Sequence, residues 1–88
     1  MEKPVLMEQM PNIGKVLAKK LNQVEITTPE ELCAMGTEQV FIRLSAIDST
    51  ACLSMLQALE GAIQGIRWYD LPIHRKAELK EFYHLLKL

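Results

Sequence analysis

Apolar residues return every three or four positions along almost the whole of this 88-residue chain, and no stretch alternates apolar and polar residues long enough to suggest a sheet. Ile13, Leu17, Leu21 and Val24, for example, would share one face of a helix. A chain of this length can bury only one modest core. We therefore predict an all-α fold, a compact bundle of five to six helices that forms a single domain over residues 1–88.

Start and stop signals divide the periodic sequence into six helical segments. Pro11 should end the first, because the residue before a proline is pushed out of helical geometry. Thr28 and Glu31 have the spacing of a capping box and should start the third, and Asp48 or Ser49 should cap the fifth. The helices are expected over residues 4–10, 14–24, from Thr28 to Gly36, 37–46, from the Asp48 or Ser49 cap to 64, and from the Asp70-Leu71-Pro72 signal to 87.

The fifth segment is apolar over most of its circumference, so we expect it to be the central buried helix. Gly61 lowers helix propensity there by about 1 kcal/mol relative to alanine and should have a packing reason. Ile47 should face inward, and Cys33 and Cys52 should be reduced packing residues. The predicted core comprises Leu17, Leu21, Phe41, Leu44, Leu53, Leu56, Leu59, Ile63, Leu79 and Phe82.

Several classes of function are disfavoured by the residues present. No apolar run reaches the roughly 18 residues of a membrane span, and the N-terminus lacks the regions of a signal peptide, so we expect a cytoplasmic protein without a membrane partner. His74 and His84 do not have zinc-site spacing, and Cys52 has no identifiable catalytic base. We expect no enzymatic activity, no cofactor, no metal and no small-molecule substrate.

The hairpin Met10-Pro11-Asn12-Ile13-Gly14-Lys15 carries the main functional signal. It resembles the Gly–aliphatic–Gly turn of helix-hairpin-helix modules, with Asn12 in place of the first glycine. We expect Gly14 to permit the tight turn, Asn12 to tolerate left-handed geometry, and Ile13 to fill the gap between the helices. Free N–H groups at the next helix start, with Lys15 and Lys19, would suit a phosphate. The alternative is a purely architectural hairpin with solvated lysines.

The chain as a whole resembles the C-terminal domain of the TfoX (Sxy) family, regulators of bacterial DNA-uptake competence. The resemblance covers Met10 to Leu88 and is carried by the order of Pro11-Asn12-Ile13-Gly14, Ile26-Thr27-Thr28 with Glu31-Leu32, Ala58-Leu59-Glu60-Gly61-Ala62, and Trp68 with Asp70-Leu71-Pro72. It implies a helical, SAM-like arrangement and a role linked to transcription or DNA. Family regulators commonly place another domain before this one, and the 88-residue sequence does not include it. We therefore expect a free-standing copy, which need not act in competence.

Two functions remain open. One is a module that binds DNA weakly and without sequence preference through backbone phosphates at Asn12, Ile13, Gly14, Lys15 and Lys19. The other is a domain that binds a protein partner or itself, because the net charge of −1 does not favour a strong nucleic-acid binder. Both ends of the chain are basic and the middle is acidic, which can steer a partner.

We expect Trp68 and Tyr69 to seal the core, with base stacking as the alternative.

Overall fold

Five α-helices and two 3₁₀ turns form the computed structural model, which describes residues 7–87. The helices are α1 (Lys15–Gln23), α2 (Pro29–Met35), α3 (Thr37–Ile47), α4 (Leu53–Gln64) and α5 (Ile73–Leu86), and the 3₁₀ turns are Met7–Gln9 and Trp68–Asp70. No strand occurs within this range, which confirms the all-α prediction. Of the helix predicted over 4–10, residues 4–6 lie outside the described range, and the described part is a single 3₁₀ turn.

The start of α2 follows the predicted capping chemistry. The hydroxyl oxygen of Thr28 accepts from the backbone N–H of Glu31 at 3.1 Å, and the Glu31 carboxylate accepts from the N–H of Thr27 at 3.2 Å. These bonds satisfy donors that the first helical turn leaves without partners. Gly36, with a φ of 87°, then ends α2 and lets α3 begin at the next residue.

The junction between α3 and α4 differs from the prediction. Neither Asp48 nor Ser49 caps α4: Asp48 ends α3, and its carboxylate accepts from the N–H and hydroxyl of Thr50. That local turn delays α4 until Leu53. Ile47 is 51% exposed, contrary to prediction, because α3 ends there, beyond the face that buries Phe41 and Leu44.

The core lies around α4, which packs against α2, α3, α5 and the second 3₁₀ turn. Leu56 and Leu59 on α4 are fully buried, as predicted. Of the other predicted core residues, Leu21, Phe41, Leu44 and Leu79 are buried, whereas Leu17, Leu53, Ile63 and Phe82 are partly buried and pack against the core. The edge-to-face rings of Phe41 and Tyr83, with centroids 6.0 Å apart, add a contact between α3 and α5.

Both cysteines are exposed and free, so their assignment as packing residues is wrong. The neighbouring Leu32 takes the buried position on α2, which leaves Cys33 on the outer surface. Cys52 occupies the N-cap position of α4, before the first turn that packs on the core.

A polar cluster that the sequence did not predict joins α3, α4 and α5. The Arg75 guanidinium donates to both carboxylate oxygens of Glu38 at 3.0 Å and to Glu60 at 2.8 Å, while the Thr37 hydroxyl donates to Glu60 at 2.7 Å. Burial raises the pKa of Glu60, but the hydrogen bonds from Arg75, Gln64 and Thr37 outweigh burial and leave the pKa lowered. Glu60 is therefore a buried carboxylate that stays ionised because its partners surround it.

Candidate nucleic-acid interface

The hairpin between the first 3₁₀ turn and α1 is formed by residues 10–14. The N–H of Ile13 donates to the carbonyl of Met10 at 3.3 Å, which closes the turn. Asn12 adopts left-handed geometry with a φ of 68°, as the sequence allowed. Gly14 has a φ of −95° and a ψ of −174°, so the prediction that glycine geometry at Gly14 makes the turn is wrong. Asn12 is the residue that reverses the chain.

The side chain of Asn12 ties this hairpin to the end of α4. Its amide nitrogen donates to the carbonyls of Ile66 at 2.9 Å and Ala58 at 3.4 Å, and its amide oxygen accepts from the N–H of Trp68 at 3.1 Å. We call these three contacts the Asn12 clamp. They engage both ends of the amide, so this side chain holds the hairpin in place rather than pointing toward a ligand.

Gly61 provides the space that the clamp occupies. A Cβ atom at Gly61 would overlap the amide nitrogen of Asn12 and would lie 2.8 Å from the Ile66 carbonyl oxygen. The predicted packing reason for this glycine is therefore confirmed, and the packing partner is the hairpin itself.

The start of α1 leaves backbone donors open. Gly14 is the N-cap, and no side chain in the described part of the chain caps the helix. The first intrahelical bond runs from the N–H of Ala18 to the carbonyl of Gly14 at 3.0 Å, so the N–H groups of residues 15–17 precede the helical ladder. Ile13 is 3% exposed and anchors this helix start in the core, as predicted. The arrangement can present several N–H groups and the positive end of a helix to an anion.

Lys15 and Lys19 lie one turn apart on α1 and are both exposed. They line a shallow groove together with Asn22, Thr27 and Glu8. Neither ammonium pairs with a carboxylate within residues 7–87, whereas the neighbouring Lys20 pairs with Asp48. The structure thus brings the predicted Gly14, Lys15 and Lys19 together, with Glu8 as one opposing charge.

A second depression borders the hairpin and shares Glu8 with the groove of Lys15 and Lys19. Hairpin residues form one wall, and Gly65, Ile66, Arg67 and Asp70 form the other. Arg67 is exposed, and it adds a basic group that the sequence did not associate with the hairpin. No local pattern could have revealed this neighbour, because the Asn12 clamp that creates it spans 46 to 56 residues of sequence.

Trp68 and Tyr69 do not seal the core. They are 47% and 58% exposed, and their rings meet edge to face with centroids 5.6 Å apart. The expectation of a hydrophobic seal is therefore wrong. An exposed aromatic pair instead lies between Arg67 and Asp70, two residues that line the second depression.

No group of three or more His, Cys, Asp or Glu side chains within residues 7–87 could hold a metal ion. None of the described helices has the length and hydropathy required of a bilayer span.

Comparison with known proteins identifies relatives of the whole domain. The family model of the TfoX C-terminal domain matches residues 4–83. Protein Sxy of Escherichia coli (strain K12) is 33% identical over 76 residues, which cover 86% of this chain and 36% of Sxy. The chain therefore spans about a third of the length of this curated relative.

Two crystal structures from Listeria monocytogenes share the fold. An uncharacterized protein in a triclinic form superimposes with a TM-score of 0.93 at 46% sequence identity, over 94% of each chain. A protein of unknown function in a tetragonal form gives a TM-score of 0.89 at 48% identity, over 91% of this chain and 98% of the other.

Proposed function

Because the chain belongs to the TfoX C-terminal domain family, we propose that it is a non-catalytic accessory module, related to competence or transcription, that contacts the backbone phosphates of DNA. The observation that carries this proposal is the N-terminus of α1 beside two exposed lysines that pair with no carboxylate within residues 7–87. Gly14, Lys15 and Lys19 would meet the phosphate, while Asn12 and Ile13 hold the helix start in position.

The expected contact is electrostatic and independent of base sequence. Backbone N–H groups and lysines at a helix N-terminus recognise phosphate oxygens, which carry no sequence information. Two lysines release few counterions, so binding should be no tighter than the roughly 10⁻⁴–10⁻⁶ M of non-specific complexes. Glu8 lines the same groove and opposes the phosphate, which weakens the contact further.

The principal buried acid of the core has a structural explanation, which supports a non-catalytic role. Glu60 is held by Arg75, Gln64 and Thr37, so it is occupied by hydrogen bonds between helices. The role proposed for the domain is to bind rather than to turn over a substrate.

An NMR titration with a short DNA duplex at two salt concentrations tests the proposal. Amide shifts should cluster at residues 12–20 and weaken steeply with salt. Changing Lys15→Ala and Lys19→Ala together should abolish these amide shifts. If residual binding is measurable, the magnitude of the slope of log K against log salt should fall by about 1.8. The Lys15→Arg/Lys19→Arg variant retains both charges and should keep binding. Absence of shifts in the wild-type protein at low salt would refute the phosphate contact.

Removing the opposing carboxylate gives a test of the opposite sign. Glu8→Gln should tighten duplex binding by about 1.4- to fivefold at low salt, the range corresponding to an exposed charge pair. Weaker binding by this variant would contradict a phosphate in the groove that Glu8 lines.

Binding of a protein partner or self-association is the second candidate function. It is favoured by apolar side chains that the fold leaves in solvent, since Val16 and Ile73 are 71% and 85% exposed. Sedimentation equilibrium separates the two functions, because apolar self-association should persist as salt rises whereas DNA binding should not.

A further inference from the structure

A basic stripe, made of residues other than the hairpin lysines, runs along one side of α5. Lys76, Lys80, His84 and Lys87 are spaced by four, four and three residues, which places them within one narrow sector of the helix. The side chains of Glu78 and Glu81 fall on the opposite flank, and Glu78 also contacts Arg75. We call these four basic residues the α5 stripe.

Contacts join this stripe to the exposed aromatic pair. The ammonium of Lys76 donates to the carbonyl of Tyr69 at 3.1 Å, and Tyr69 packs against Trp68. At the other end of α5, Lys87 lies over the ring of Tyr83 with its ammonium 5.8 Å from the ring centroid. The surface therefore combines positive charge with aromatic rings along its length.

The Asn12 clamp places this surface next to the hairpin. The same Trp68 whose ring is exposed donates its backbone N–H to Asn12, and Arg67 faces the hairpin across the second depression. Basic groups thus occur on both sides of the aromatic pair, with Arg67 on one side and Lys76 on the other. Glu8 and Asp70 are the acids that line this depression among the described residues.

We propose that Trp68, Tyr69 and the α5 stripe bind single-stranded nucleic acid, with bases stacked on the aromatic pair and phosphates along Lys76, Lys80 and Lys87. The basic residues complement a phosphate chain, and exposed rings add stacking that every base can supply. In a duplex the base faces are already stacked inside, so the aromatic pair favours unpaired strands. The inference rests on the proposed function in its choice of a nucleic-acid partner, but it uses different residues.

The single tryptophan of the chain reports directly on this site. The probe is a twelve-nucleotide oligo(dT), titrated into the full chain while Trp68 fluorescence and the anisotropy of a labelled strand are recorded. A stacked base should quench the indole in a saturable way, and oligo(dT) should bind more tightly than a duplex of equal length. Unchanged Trp68 fluorescence, or equal affinity for the two forms, would overturn the proposal.

Paired variants separate stacking from charge. Tyr69→Ala should weaken oligo(dT) binding about five- to 150-fold, whereas Tyr69→Phe, which keeps the ring, should bind normally. Lys76→Ala/Lys80→Ala should lower the slope of log K against log salt by about 1.4. Ile73→Ala removes an exposed apolar side chain without an aromatic face and should have no effect. Circular dichroism and the thermal midpoint verify that each variant is folded.

The same variants distinguish the two proposals. If Tyr69→Ala and Lys76→Ala/Lys80→Ala leave oligo(dT) binding intact while Lys15→Ala/Lys19→Ala abolishes it, the hairpin binds nucleic acid and the α5 surface does not. If the α5 variants abolish single-strand binding and the hairpin variant has no effect on single strand or duplex, the stripe is the site and the hairpin proposal fails. Quenching of Trp68 by anionic phospholipid vesicles, without quenching by oligo(dT), would overturn the choice of partner.

Discussion

Replacing Gly61 with alanine sets two opposing effects against each other at one position. In an ordinary helix interior the change should stabilise the protein by about 1 kcal/mol, because alanine has the higher helix propensity. At Gly61 the new Cβ would collide with the amide of Asn12 and come within 2.8 Å of the Ile66 carbonyl oxygen and 3.2 Å of the Trp68 nitrogen. The structure predicts that the steric clash destabilises the protein by more than the higher helix propensity of alanine stabilises it.

The magnitude follows from the contacts that must give way. Displacing the Asn12 amide breaks its two shorter hydrogen bonds, to Ile66 and from Trp68, each contributing about 0.5–1.5 kcal/mol. Crowding against backbone atoms costs about 1–3 kcal/mol, which partly overlaps with those losses. After the propensity gain, the free energy of unfolding should fall by about 1–3 kcal/mol.

Urea denaturation of Gly61→Ala, monitored by circular dichroism, measures this loss. Ala77→Gly, at an exposed position of α5, is the control that calibrates the propensity difference in the same protein. In an Asn12→Gly background, which keeps left-handed geometry available but removes the amide, Gly61→Ala should cost about 1–2 kcal/mol less. A Gly61→Ala protein that is more stable than wild type by the calibrated amount would refute the clamp.

Three further predictions concern stability and accessibility. Leu56→Ala should lower the free energy of unfolding by about 2–5 kcal/mol, measured from the urea midpoint, because Leu56 is fully buried in the central helix; an unchanged midpoint would contradict this. Hydrogen bonds from Lys20 and Thr50 lower the pKa of Asp48 from 3.8 to about 2, so the stability it contributes is complete above its unfolded pKa and is lost as pH falls toward 2. Asp48→Asn should therefore lower the urea midpoint at neutral pH and converge on wild type as pH falls through about 2, and a pH-independent difference would argue against the ion pair. Both cysteine thiols should react with an aromatic disulfide reagent in the native protein, and protection of either until denaturant is added would contradict their exposure.

Local chemistry explains what the sequence could predict. The capping box of Thr28 and Glu31 and the apolar stripe of α1 depend on residues within a few positions of one another, so each could be read without tertiary information. The positive φ of Asn12 belongs to the same class, because asparagine tolerates that geometry by itself. These signals were sufficient for the fold and for the position of the hairpin.

Predictions were wrong or missing where one residue can satisfy two local structures, or where a residue is held by a partner distant in sequence. Aspartate suits both a helix N-cap and a tight turn, and Asp48 adopts the turn. The cluster around Arg75 unites residues separated by 15 to 37 positions, and no periodicity encodes such a pairing. The exposure of Trp68 likewise depends on the distant Asn12, which fixes the backbone at that point.

The Asn12 clamp also has a consequence for the order in which the protein is made. The hairpin precedes the acceptors and the donor that fix it, which reach as far as residue 68. At about 5–20 residues per second, a ribosome needs roughly 3–11 s to add the intervening 56 residues. Until Trp68 is added, the Asn12 amide lacks at least one of its three partners. The surface proposed to face DNA is therefore completed only after Trp68 has been added, although its own residues are synthesised earlier.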